Sequence, residues 1–171
     1  VIFNNWRVGE FKHIGTSVWG QDYGCAADPS TLVEVNIDST NKRIYLKECF
    51  YLQRLTTSQI AQLNLKHARE GLIIGDSAEP RPLREPTANG CNLRPSLTGQ
   101  GSITYGISLL QDYDIIVSPD STNLIKELNN YRWLERKSNT PIDNWNHLID
   151  AVRYAVGFQL QNPNRGKYTV S

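Results

Sequence analysis

The chain of 171 residues contains no methionine, and its three cysteines, Cys25, Cys49 and Cys91, stand far apart. An odd, widely spaced set makes neither a zinc-type pair nor a disulfide framework, and it fits a reducing cytosol. No apolar run approaches the roughly 20 residues needed to span a bilayer, and no secretory signal is visible. Charge is almost balanced, with Lys and Arg totalling 18 against 17 Asp and Glu. There is therefore no global basic field, and nucleic-acid binding would need local patches. The phosphate-loop pattern GxxxxGK[ST] is missing, because Gly166-Lys167 is followed by Tyr168 and lacks the upstream glycine. GxGxxG, HExxH and GxSxG are missing too, and "DYGCAADPS" does not follow the calcium-loop pattern. The cysteines have no motif context for nucleophilic catalysis.

What remains is a composition of 39% hydrophobic and 20% charged residues, which reads as one soluble globular domain with a sizeable core. The chain opens "VIFNNWRVGEF" without an initiator and reads as a domain cut from a longer protein. Residues 1–13 show no clear period and are expected to be a leading linker. The domain itself is expected over 14–160, with residues 161–171 as a loose polar tail.

"TSVWGQDYG" predicts a strand ending in a turn, and "STLVEVNID" and "RIYLKECFY" alternate as half-buried strands around the turn "STNK". Together they predict a three-stranded antiparallel meander. "TTSQIAQLNLKHARE" predicts a helix capped by Thr56 or Thr57, with Ile60, Leu63 and Leu65 inward. "GLIIGDS" reads as a buried strand, "RPLREPTANG" as a short helix and "CNLRPS" as another strand. "SITYGISLLQDY" then reads as helix, "DIIVSP" as strand and "STNLIKELNNYRWLER" as helix. A last helix is expected to begin near Asp143 as its N-cap. Strands that meander and then alternate with helices imply an α/β domain with a central mixed sheet flanked by helices.

Three carboxylates occupy telling places. Asp22 follows the first strand of the meander between glycines, and Asp76 ends the apolar run "LIIG". A carboxylate is rarely buried unless it is paired or bound to a metal. In the last helix each residue turns by about 100°. Leu148, Ile149, Val152, Ala155 and Val156 then share one arc, and His147, Asp150 and Tyr154 share the other, with Arg153 at its margin. The plain alternatives are a turn aspartate at 22 and a solvated helix face around 150. Clustered carboxylates repel unless a cation sits among them, and hard oxygen ligands suit Mg²⁺ or Mn²⁺, one ion or two. Two such ions could activate a water and stabilise the leaving oxygen of a phosphodiester.

"VWGQDYGCAADPSTLVEV", "IIGDSAEPRPLREP", "GQGSITYGISLLQDYDIIVSPDSTNLIKELNNYRW" and "PIDNWNHLIDAVRYA" resemble, in order and over nearly the whole chain, the C-terminal nuclease domain of tailed-bacteriophage terminase large subunits. The resemblance implies a ribonuclease H-like fold and a divalent-metal endonuclease that cuts concatemeric viral DNA during genome packaging in the host bacterial cytoplasm. It implies metal-binding aspartates at Asp22, Asp76 and Asp150, with His147 as a further ligand. Glu79 lies within the second motif and is not assigned as one. The implied partners are double-stranded DNA, an N-terminal ATPase domain of the same polypeptide, a small terminase subunit and a portal protein, with no membrane. Arg81, Arg84, Arg94 and Arg153 are candidate phosphate contacts. Many relatives carry a lysine just before the G-S-I segment, where this chain has "RPSLTGQGSI", and Arg94 is the substitute at hand. The competing readings are a junction-resolving or transposase-type nuclease of the same fold, and a DNA-clamping or portal-docking module that does not cleave.

Overall fold

The structure is a computed structural model and describes residues 1–24, 27–76, 91–97 and 101–161. Nine strands and four helices are described: β1 (Trp6–Val8), β2 (Val18–Asp22), β3 (Pro29–Asp38), β4 (Arg43–Gln53), α1 (Thr57–Ala68), β5 (Leu72–Gly75), β6 (Asn92–Pro95), α2 (Ser102–Gln111), β7 (Asp114–Val117), α3 (Thr122–Asn130), β8 (Trp133–Leu134), β9 (Lys137–Pro141) and α4 (His147–Gln161). Seven strands form one sheet in the order β1-β7-β4-β3-β2-β5-β6. The expected meander is its centre, with β3 antiparallel to both β2 and β4. Parallel strands extend it on both sides: β5 and β6 beyond β2, and β7 and β1 beyond β4.

The turn from β3 to β4 is set by Asp38, whose carboxylate accepts from the backbone and side-chain amides of Asn41. The sheet buries both faces. Val33, Val35, Ile44 and Leu46 pack with Leu110, Leu124, Ile149 and Val152 of α2, α3 and α4. On the other face Leu32, Phe50 and Ile73 pack with Ile60 and Ala68 of α1. The period of two that separates these sets is the one read from the sequence.

Four expectations are revised. The segment 1–13 is not a mere linker: Ile2 and Phe3 are 5% and 1% exposed in the main core, and β1 pairs with β7 as an edge strand. The helix beginning at Thr122 stops at Asn130, and "RWLER" instead opens a β8–β9 hairpin. In α1 Ile60 is buried and Leu63 packs against the smaller core as expected, but Ala61, Asn64 and Ala68 complete the inward face and Leu65 is 36% exposed. The last helix starts at His147, four residues after the expected cap Asp143, whose carboxylate accepts from the Asn146 side chain at 3.2 Å. The cap of α1 is as expected, with Thr56 and Gln59 forming a capping box. The short helix read at 81–90 and the tail beyond 161 lie outside the described residues.

Candidate metal centre

Alternation along β2 decides which way each residue points. Trp19 and Gln21 face α1, and Gln21 exchanges two hydrogen bonds of 2.7 and 2.8 Å with the buried amide of Asn64. Val18, Gly20 and Asp22 face α4. A Cβ on Gly20 would lie 1.8 Å from the carbonyl oxygen of Ala151, so only glycine lets the helix come this close. Asp22 is thereby aimed at the first turn of α4.

β5 runs parallel to β2 with Gln21 opposite Gly75. Asp22 and Asp76 therefore leave the sheet side by side. Leu72 packs against the main core and Ile73 against the smaller one, so the alternation carries Asp76 to the α4 side as well. The charge of Asp76 acts on Asp22 and raises its pKa.

His147 is the junction of the site. Register pairs Asp22 with Thr31 and Thr31 with Tyr51, making one row across three strands. The His147 ring lies over that row. Its Nδ1 is 3.4 Å from Asp22 Oδ2, its carbonyl accepts from Thr31 Oγ1 at 3.3 Å, and its ring meets Tyr51 edge-on at 6.4 Å. Nε2 is 4.0 Å from Asp28. The hydrogen bond to Asp22 is the main cause of a raised His147 pKa, against burial, which lowers it. The sequence placed His147 one turn before Asp150, but the imidazole's partner is Asp22.

Asp150 is half-buried in the first turn of α4, where burial pushes its pKa up to about 7. Asp22 adds to the rise, and Arg153 opposes it from 3.4 Å. Burial likewise raises Asp22, and its bond to His147 opposes that. Both carboxylates are thus drawn toward their neutral forms, as expected where buried acids crowd together.

The arginines divide. Arg153 is 8% exposed, lies under Gly106 of α2, pairs with Asp150 and stacks over Tyr154 at 4.8 Å. Its guanidinium is turned to Asp150 at the wall of a cavity between α2 and α4. Arg94 is exposed on β6, the outer strand next to β5, and borders a groove of about 910 Å³ with Trp19 and Arg69. That groove lies at the strand ends opposite Asp22 and Asp76. Arg81, Arg84 and Glu79 fall outside the described residues.

Sequence reasoning missed Thr31, Tyr51 and Glu127. Glu127 of α3 is 2% exposed, and its carboxylate accepts from the backbone amides of Leu148 and Ile149. A glutamate at an inward position of a helix was the only available signal, and it does not name a partner.

Among the described residues, no three His, Cys, Asp or Glu side chains are gathered as a ready-made ligand set. The donor chemistry still fits a hard divalent cation. Carboxylates from the ends of β2 and β5 and from the first turn of α4, with an imidazole on that turn, lie at one end of the central strands, where two of the acids are held toward neutrality.

A mixed sheet with this strand order, helices on both faces and acids at the ends of its central strands defines a ribonuclease H-like domain. The family described as Terminase RNAseH like domain matches residues 22–157, and the chain belongs to it. The large terminase nuclease domain of bacteriophage SPP1, a structure with bound Mn, superposes with a TM-score of 0.79 at 25% identity, covering 90% of this chain and 96% of that one. The P22 large terminase nuclease domain gives 0.73 at 13% identity, covering 90% and 86%. The large terminase of a thermophilic bacteriophage gives 0.73 at 17%, covering 93% of this chain and 44% of its own. No curated protein matches.

Proposed function

We propose that this domain is a divalent-metal-dependent DNA endonuclease of a terminase large subunit, with Asp22, Asp76 and Asp150 holding Mg²⁺ or Mn²⁺ and His147 as a further ligand. The observation that carries the reading is that Asp22 and Asp76 leave the ends of paired parallel strands side by side, with Asp22 bonded to His147 in the first turn of α4. A bound ion would lower the pKa of a water and offset charge on the scissile phosphodiester. The protein's own groups have defined tasks. Asp22 and Asp150, which burial draws toward the neutral form, would hold the ion as carboxylates. Arg153 steadies Asp150 across one helical turn, and Thr31 and Tyr51 hold the backbone and ring of His147 in place. Arg81, Arg84 and Arg94 are proposed to meet the DNA backbone. With a net charge of +1 the isolated domain should bind DNA weakly and lose that binding steeply with salt.

In this reading the domain cuts concatemeric phage DNA in the bacterial cytoplasm, beside an ATPase domain and in concert with a small subunit and portal. The kinship to terminase nuclease domains supports this setting. The test is nicking of supercoiled plasmid by the isolated chain in Mn²⁺ or Mg²⁺. Nicking should appear with the ion and stop with EDTA. Full activity in EDTA, or a folded chain that never nicks, would sink the proposal.

A further inference from the structure

We infer that Glu127 is a positioning residue of this centre: a carboxylate on α3 that fixes the first turn of α4, and so the placement of His147 and Asp150 against Asp22. The inference rests on the metal reading above. Glu127 Oε1 accepts from Leu148 N at 2.9 Å and Ile149 N at 3.0 Å, and Oε2 accepts from Leu148 N at 3.1 Å. Amides in a first turn have no partner within the helix. Here they sit among residues 0% and 2% exposed, so water cannot serve them.

A cap on the helix's own chain would travel with the helix and leave its position open. Glu127 belongs to a different element. Its neighbours Leu124 and Leu128 are buried in the main core. The start of α3 is itself held from the sheet, because Glu48 of β4 accepts from Leu124 N at 2.9 Å and Asn123 Nδ2 at 2.8 Å. Glu48 N in turn donates to Ser121 Oγ at 2.9 Å. A line of two carboxylates therefore ties β4 to α3 and α3 to α4. It ends on the turn that carries His147 and Asp150. One turn further on, the contact of Ala151 with Gly20 holds the helix independently. Losing Glu127 should therefore loosen the first turn and leave the rest of α4 seated.

The test compares Glu127→Gln and Glu127→Asp with Val117→Ala, a core truncation on β7, in the 171-residue chain. Three quantities are read: melting temperature, hydrogen exchange of the Leu148 and Ile149 amides, and the Kd of Mn²⁺ alone by calorimetry. Glu127→Gln keeps the shape but presents an NH₂ group to a backbone donor. It should speed exchange at both amides and weaken Mn²⁺ by about 10-fold or more, as losses behind a ligand typically do. Glu127→Asp keeps the charge but withdraws the oxygens, and should weaken Mn²⁺ in the same direction. It also serves if the Gln variant does not fold. Val117→Ala should lower the melting temperature with Kd unchanged. An unchanged Kd in both Glu127 variants would overturn the inference. So would an equal loss in Val117→Ala, or full Mn²⁺ binding in Glu127→Asp, which would leave charge alone at work. No Mn²⁺ binding by the unsubstituted chain would instead overturn the metal reading, and this inference with it.

Discussion

Asp76 and His147 are proposed to act at the same centre but in separable ways. Asp76→Asn preserves shape and removes one charged ligand. Plasmid nicking should fall by orders of magnitude, since a metal held there would supply several kcal/mol of transition-state stabilisation. The metal-free protein should be no less stable, because one source of repulsion on Asp22 disappears. Nicking at the wild-type rate would remove Asp76 from the centre. His147 lies over the Asp22–Thr31–Tyr51 row and outside the apolar arc of α4. Imidazole is a softer ligand than carboxylate and suits Mn²⁺ better than Mg²⁺. His147→Ala should therefore narrow a Mn²⁺ preference while the fold survives. A Mn²⁺-to-Mg²⁺ rate ratio equal to that of the unsubstituted chain would reduce His147 to orienting Asp22 through their hydrogen bond.

Between elements, two contacts place the centre. The first is the crossing of α4 over β2. Gly20→Ala would drive a methyl carbon into backbone atoms of Ala151, which cannot move aside as a side chain can. The loss of stability should be about 3 kcal/mol or more, the upper end for overpacking, read by denaturant unfolding. An increase or no change would show that α4 is not held against Gly20. The second contact is the Gln21–Asn64 pair, both 0% exposed, which pins α1 to the opposite face of β2. Replacing Asn64 alone by Leu strands the Gln21 amide and should cost about 1–3 kcal/mol. Replacing both by Leu should cost less than the sum of the single changes. Additive losses would mean that the two amides do not stabilise each other.

For the whole molecule, pH reports the clustered acids. Burial raises Asp22, and pushes Asp150 and Glu127 up to about 7, and the bond to Asp22 raises His147. A group whose pKa is raised on folding adds stability that is complete below its unfolded pKa and is lost as pH climbs through the folded one. All four groups act in the same direction. The metal-free domain should therefore lose melting temperature as pH rises from about 5 to 8, through the raised values of Asp150 and Glu127. Mn²⁺ binds the deprotonated ligands, so adding it should flatten or reverse that slope. A metal-free protein that grows more stable over this range would contradict the burial of these acids.

Local pattern wrote much of this molecule. The alternation of "STLVEVNID" and "RIYLKECFY" is a property of each segment alone, so the meander was legible, as was the Thr56 cap. So were Asp22 and Asp76 at strand ends and the two-sided face of the last helix, because each depends on neighbours a few residues away. Other features depend on partners far along the chain, and no local period encodes those. Asn64 faces inward because Gln21, 43 residues earlier, meets it. Trp6–Val8 becomes a strand because the edge of β7, Ile115–Val117, accepts it. Arg153 is buried because Gly106 leaves room above it and Asp150 offers charge. Helix α4 begins at His147 rather than at an Asp143 cap, and a buried acid on α3 holds its first turn. The sequence by itself determined which segments alternate and which carry acids at their ends. Tertiary packing alone decided which of those groups meet, because burial and hydrogen-bond satisfaction are settled only when distant segments share one interior.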